Sequence, residues 1–257
     1  MSSGDHARLV SRLTCKVSDA DPTTKLRLRK VSYGHSKKKK PLVAYIVDPA
    51  DDKRDEAQNV YILGAQHGDE RNTSRALEYF VRELRLTSDD YRNDRRIIII
   101  PLYNPDGYKR NDRFAGDRVD LNRDFPSSDG AEGAPRAKET RAFMKLMEKY
   151  PASLMYNLHQ PFRVVLFYPE HEEIAKPFAQ LSDYPLGSDV GYPTPGSLGT
   201  WAREQKIPII TVELSRSMKK AMAPFIYEEI RLALFHAAFG CIPRGARNSH
   251  LEKYLAE

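Results

Sequence analysis

Four short segments carry the residue types that metal-assisted hydrolysis needs, and they come in a fixed order along the chain. The first, His67-Gly-Asp-Glu70, sets an imidazole and a carboxylate three residues apart. Nitrogen and oxygen donors of this kind suit a borderline ion such as Zn2+. The second, Asn104-Pro-Asp-Gly107, leads to Arg113 and then to Asp120-Leu-Asn-Arg-Asp-Phe-Pro126. The third, Asn157-Leu-His159, brings another imidazole, and the fourth, Thr211-Val-Glu213-Leu214, a carboxylate in an apolar strand. His67, Glu70 and His159 make three protein ligands with one position open for water, the pattern of a catalytic zinc. Zinc brings the pKa of its water to about 7. Glu213 is then the group to take that proton and return it to a leaving amine. Arg113 is the candidate for stabilising an oxyanion. Asn122 and Arg123 are candidates for clamping a substrate carboxylate, which a guanidinium fork matches in a bidentate manner.

Singly, each residue has a plainer reading. His159 suits a satisfied core histidine, Glu213 a buried carboxylate paired with an arginine, and Arg113 or Arg123 a surface ion pair. Asn104-Pro-Asp-Gly is a good turn in its own right. The joint order on strand ends is what favours a site.

The elements that must hold these segments are legible from apolar periodicity. Val60 to Leu63 is a buried strand ending at Gly64, and Gly68 allows the bend that carries His67 and Glu70. Asn72 or Thr73 can cap the next helix, whose buried stripe is Ala76, Leu77, Phe80, Val81 and Leu84. Ile97 to Ile100 is a continuous apolar run, typical of a central parallel strand. Strand, helix and strand make a βαβ unit. A second helix is expected over about 136–150, further strands over 152–158 and 207–214, and a long helix over 224–239 that packs Phe225, Leu232, Phe235 and Phe239. Residues 25–32 read as an edge strand, 42–47 as its return, and Lys37 to Lys40 between them as a solvated hairpin turn. This alternation predicts an α/β fold with a mostly parallel or mixed central sheet flanked by helices. In such sheets ligands sit beyond the carboxyl ends of the strands, where the four segments fall.

Composition bounds the rest. The chain has 257 residues, enough for a full core in one domain, and a net charge of +6. Its cations are scattered among almost as many acids, and no interleaved aromatic stripe accompanies Lys37 to Lys40, so a nucleic-acid partner is not expected. No run of 18 apolar residues occurs, so no membrane span is expected. Cys15 and Cys241 are too few for a disulfide framework and suggest a reducing compartment, hence a cytoplasmic protein. The expected organisation is a lead-in over 1–24 and a single catalytic domain over 25–257.

In this order the segments resemble the zinc carboxypeptidase family: His-x-x-Glu, Asn-Pro-Asp-Gly, an arginine, Asp-x-Asn-Arg, a distant His and a late Glu after a strand. Gly196-Ser-Leu-Gly-Thr-Trp-Ala202 before Ile209 to Leu214, and Tyr33-Gly-His-Ser36, look most like the murein-peptide amidase branch. The resemblance implies one Zn2+ per chain and a small peptide substrate with a free carboxylate. It also implies cleavage between γ-D-glutamate and a diamino acid such as diaminopimelate. It places a specificity-pocket tyrosine at Tyr192. Ordinary peptide C-termini, or N-acyl amino acids as in the succinylglutamate desuccinylase and aspartoacylase type, are the alternative substrates; a non-catalytic binding protein is a third reading. Three positions depart from the family pattern: Asp124 stands where Asn is usual, Arg118 where Gly is usual, and Ala115 where Asn is common.

Overall fold

The computed structural model describes residues 12–15, 24–128, 133–188, 194–216 and 219–243. Its strands are β1 (Leu28–His35), β2 (Pro41–Val47), β3 (Gln58–Leu63), β4 (Arg95–Ile100), β5 (Leu154–His159), β6 (Val164–Phe167), β7 (Leu186–Gly187) and β8 (Ile209–Glu213). They form an eight-stranded sheet in the order β1-β2-β4-β3-β5-β8-β6-β7. β4, β3, β5 and β8 run parallel at its centre, while β1, β2 and β6 pair antiparallel toward its edges. The helices are α1 (Arg71–Leu84), α2 (Pro105–Arg110), α3 (Lys138–Lys149), α4 (Glu172–Ser182), α5 (Leu198–Glu204) and α6 (Ala223–Phe239).

The all-apolar central strands follow from a sheet covered on both faces. Val60, Ile62, Ile97, Ile99 and Ile210 join one core with residues of α1, α4 and α6. Their neighbours Tyr61, Leu63, Ile98, Ile100 and Ile209 join the other, with Phe143 of α3 and Trp201 of α5. The period of two divides each strand between the two cores.

Some local expectations change. The N-cap of α1 is Glu70, not Asn72 or Thr73, which lie within the first turn. The Thr73 hydroxyl instead accepts from Ala65 N–H at 2.7 Å and donates to the Glu70 carbonyl at 2.7 Å, tying the metal-site turn to the helix. Gly68 has its reason in close approach: an added Cβ would lie 2.2 Å from the Gly107 carbonyl carbon. Asn104-Pro-Asp-Gly is the start of α2, with the Asn104 side chain accepting from Gly107 N–H at 2.8 Å. Phe225, expected to pack inward, is 60% exposed at the start of α6. The Lys37 to Lys40 turn joins β1 to β2 as expected but is anchored: Lys37 and Lys38 N–H groups donate to Glu139 and Asp106, and Lys40 Nζ to the Pro105 carbonyl.

Cys15 and Cys241 are joined in a disulfide, which removes the basis for reading them as thiols of a reducing compartment. The bond lies beside a parallel bridge between Thr14 and Ile242, so it clasps the start of the described chain to the segment after α6. No helix among the described residues is long and apolar enough to cross a membrane.

Candidate metal centre

The site sits at the carboxyl ends of the parallel strands. His67 and Glu70 stand on the turn between β3 and α1, while His159 and Glu213 end β5 and β8 and face each other in register. The donor atoms of His67, Glu70 and His159 lie within 4.8 Å of one another, and all three residues are buried. Glu70 bridges the pair: Oε1 is 2.7 Å from His67 Nδ1 and Oε2 is 2.9 Å from His159 Nδ1. Both Nδ1 atoms therefore turn to the carboxylate, and both Nε2 atoms face outward to other partners. His67 Nε2 meets Asp120 Oδ1 at 3.2 Å, and His159 Nε2 meets the Asn157 side-chain amide at 2.9 Å. Two imidazole nitrogens, one carboxylate and supporting groups behind each ring are a donor set that fits zinc.

The charges are strongly coupled. Burial disfavours the imidazolium of His67, yet the Glu70 charge and hydrogen bonds to Asp120 and Glu70 outweigh it, lifting its pKa to about 9. Burial likewise works against the Glu70 carboxylate, but the charges of His159 and His67 bring its pKa down to about 2. Asp120 is held well below the usual carboxylate range by His67, Arg113 and the Asn122 backbone, against the cost of its burial. In Glu213 burial wins: with the Glu70 charge it pushes the carboxyl above its ordinary value. Glu213 is 6% exposed and its Oε2 has no hydrogen-bond partner, which leaves that atom available to a substrate or water proton.

Arg113 reaches the same place: Nε donates to Asp120 Oδ2 at 2.9 Å and Nη1 lies 3.3 Å from His67 Nδ1. Asn122 lies on the next loop, its Oδ1 accepting from Leu198 N–H at 3.0 Å at the start of α5. Arg123 follows, with Nη1 donating to the Asn122 carbonyl at 2.5 Å. Gly196, at φ 67°, fits against this loop, because a Cβ there would lie 2.8 Å from the Arg123 carbonyl oxygen. Tyr192 lies outside the described residues.

The departures at 118 and 124 acquire physical reasons. Arg118 occupies the left-handed region at φ 67°, which glycine adopts without strain. Its side chain pairs with Asp112 and covers the Phe114 ring. Asp124 is turned to other work: its oxygens accept from Arg136 and Ala137 N–H at 2.8 and 2.9 Å, just ahead of α3. Three supporting residues had no assigned role in the sequence reading: Asp120, Gln66 and Asn157. A rule that ligand histidines need an acceptor behind them points to Asp120 within its Asp-x-Asn-Arg segment. Gln66 and Asn157 carry no such signal, since the turn after β3 and the strand β5 bring them together from distant parts of the chain.

A family model described as zinc carboxypeptidase matches residues 20–239. Murein peptide amidase A of Escherichia coli K12 is 28% identical over 198 residues, covering 68% of this chain and 79% of that protein. The protein of the same name from Vibrio campbellii is 29% identical over 205 residues, covering 71% and 78%. Among solved structures, murein-tripeptide amidase from Escherichia coli O157 is similar with a TM-score of 0.64 and 25% identity, over 85% of this chain and 98% of that one. Carboxypeptidase A from Helicoverpa armigera shares the fold, with a TM-score of 0.67 at 18% identity, over 92% and 80%.

Proposed function

The chain belongs to the zinc carboxypeptidase family, and on that premise we propose that it cleaves the amide bond between γ-D-glutamate and diaminopimelate in murein peptides. It is a zinc-dependent hydrolase. The observation that carries the catalytic reading is the convergence of His67, Glu70 and His159, with Glu213 in register beside His159. Support for the substrate comes from the murein peptide amidases that match more than two thirds of the chain.

His67, Glu70 and His159 are the proposed ligands, each ring turned by its outer partner so that Nδ1 faces inward. When bound, zinc supplies Lewis acidity, polarising a carbonyl and making water acidic enough to attack near neutral pH. Glu213 accepts the water's proton at its unpartnered Oε2 and passes it to the leaving amine. Burial suits it to this, because a raised pKa makes it a stronger base than an exposed carboxylate. Arg113, held by Asp120, offers N–H groups to the charge developing on the scissile oxygen. Asn122 uses its oxygen on Leu198 and has Nδ2 left to donate, and with Arg123 it clamps the substrate carboxylate. Tyr192 remains the proposed specificity tyrosine.

The catalytic domain is proposed to span 25–257 after a lead-in over 1–24, supported by a single sheet that runs from Leu28 to Glu213. A cytoplasmic setting is the expectation from composition, and the Cys15–Cys241 bond argues against it.

The test is competition between substrate classes on one zinc-loaded preparation. L-Ala-γ-D-Glu-meso-diaminopimelate should be cleaved with a kcat/KM at least about 10²-fold above C-terminal peptides or N-acyl amino acids, as expected when buried polar groups select the substrate. Preference for either alternative would reassign the substrate and keep the hydrolase.

A further inference from the structure

We infer that Asn157, braced by Gln66, is the positioning residue that sets how firmly His159 holds the metal. The inference rests on His67, Glu70 and His159 being the zinc ligands.

The two ligand histidines are backed differently. His67 Nε2 faces a carboxylate, Asp120, which can only accept. His159 Nε2 faces a neutral amide, which presents either an acceptor or a donor. Asn157 and Gln66 are 2% and 0% exposed, so bulk water does not compete for their hydrogen bonds. Asn157 Nδ2 lies 2.9 Å from both His159 Nε2 and Gln66 Oε1, and Gln66 Nε2 donates to the Leu121 carbonyl at 3.1 Å. Leu121 directly follows Asp120, so Gln66 links the supports of the two rings.

The chain of donors has a direction. With Asn157 donating, His159 Nε2 is an acceptor, its hydrogen sits on Nδ1, and that N–H donates to Glu70 Oε2 at 2.9 Å. Every group in this arrangement is satisfied except Asn157 Oδ1, which is buried without a partner. A ligating Nδ1 carries no hydrogen, so Nε2 must donate, and Asn157 must present its oxygen. Half a turn of the amide does this at the same position. It also sets two amide oxygens, of Asn157 and Gln66, against each other. Gln66 can relieve the clash by turning too, but then its oxygen meets the Leu121 carbonyl. One hydrogen bond is therefore lost whenever the ring is set for the metal. A carboxylate at 157 would favour the Nε2–H ring in every state, as Asp120 does for His67.

The test is the zinc dissociation constant by chelator competition, for wild type, Asn157→Asp and Asn157→Leu, with thermal melting of each metal-free protein. Asn157→Asp should bind zinc more tightly, by about tenfold, and Asn157→Leu more weakly, by about 10–100-fold. Rescue by the isosteric carboxylate, with failure of the isosteric apolar side chain, is what a merely structural role would not give. Affinities of both variants within about twofold of wild type, or weaker binding by Asn157→Asp, would overturn the inference. If Asn157→Leu fails to fold, Asn157→Asp decides alone. Absence of zinc from wild type would instead refute the ligand assignment and the inference with it.

Discussion

His159 and Glu213 stand opposite each other on adjacent parallel strands, joined by a hydrogen bond of 2.7 Å from the Leu214 N–H to the His159 carbonyl. A proposed metal ligand and the proposed base are thus fixed by the sheet ladder itself. Slipping either strand by one residue would turn its functional side chain to the other face. Precision at this point comes from buried main chain, with little reliance on loops.

Arg113 is expected to matter for rate more than for metal. Arg113→Ala removes a donor at the site and leaves Asp120 with His67 and the Asn122 backbone. The expected result is a fall in kcat of about 10²-fold, roughly 3 kcal/mol of transition-state binding, with zinc content unchanged. Single-turnover rates and metal analysis check this together. An unaltered kcat would leave Arg113 a structural partner of Asp120.

The Cys15–Cys241 bond closes a loop across a sequence separation of 226 residues. Replacing both residues by serine, or reducing the pair, is expected to lower unfolding stability by between about 2 and 5 kcal/mol. Urea denaturation with and without reductant measures the difference. Thiol titration of the unreduced, unfolded protein should find neither cysteine free; two free thiols would contradict the clasp and restore the reading of a reducing compartment.

Acid should destabilise the fold partly through His236 on α6. Burial, helped by the Arg95 charge, brings its pKa down from 6.5 to about 4. Between those values the unfolded chain binds the extra proton, so stability is full above pH 6.5 and lost as pH falls toward 4. Allowing for the partial exposure of the ring, the loss is on the order of 2 kcal/mol. Urea melts at pH 7 and pH 4.5 should show it, and His236→Gln should flatten that part of the profile. An equal slope in the variant would place the acid sensitivity elsewhere.

The parts of the fold that the sequence displays are those where local pattern and burial agree. The strand over 60–63 and the isoleucine run are continuous apolar runs buried on both faces, and the stripe of α1 packs on the core its periodicity implies. The ligand trio was legible because zinc chemistry restricts both residue type and spacing. Other features depend on partners distant in the chain. Nothing local to Cys15 announces Cys241, and Phe225 looks like core until α6 is seen to begin with that side exposed. β6 and α4, which follow the second ligand histidine, show no clear local pattern, because β6 is only four residues long and Pro177 interrupts α4. Asp124 departs from the family pattern for a reason the local sequence does not display: its oxygens hold the backbone ahead of α3, twelve and thirteen residues further on.

The central claim is that Glu213 does the proton chemistry beside a zinc held by three other residues. Zinc stoichiometry and hydrolysis of L-Ala-γ-D-Glu-meso-diaminopimelate should be measured on wild type and Glu213→Gln in parallel. The account predicts about one zinc per chain in both proteins, and a fall in kcat of about 10²–10⁴-fold in the variant. Hydrolysis by Glu213→Gln at the wild-type rate, with zinc still bound, would contradict it.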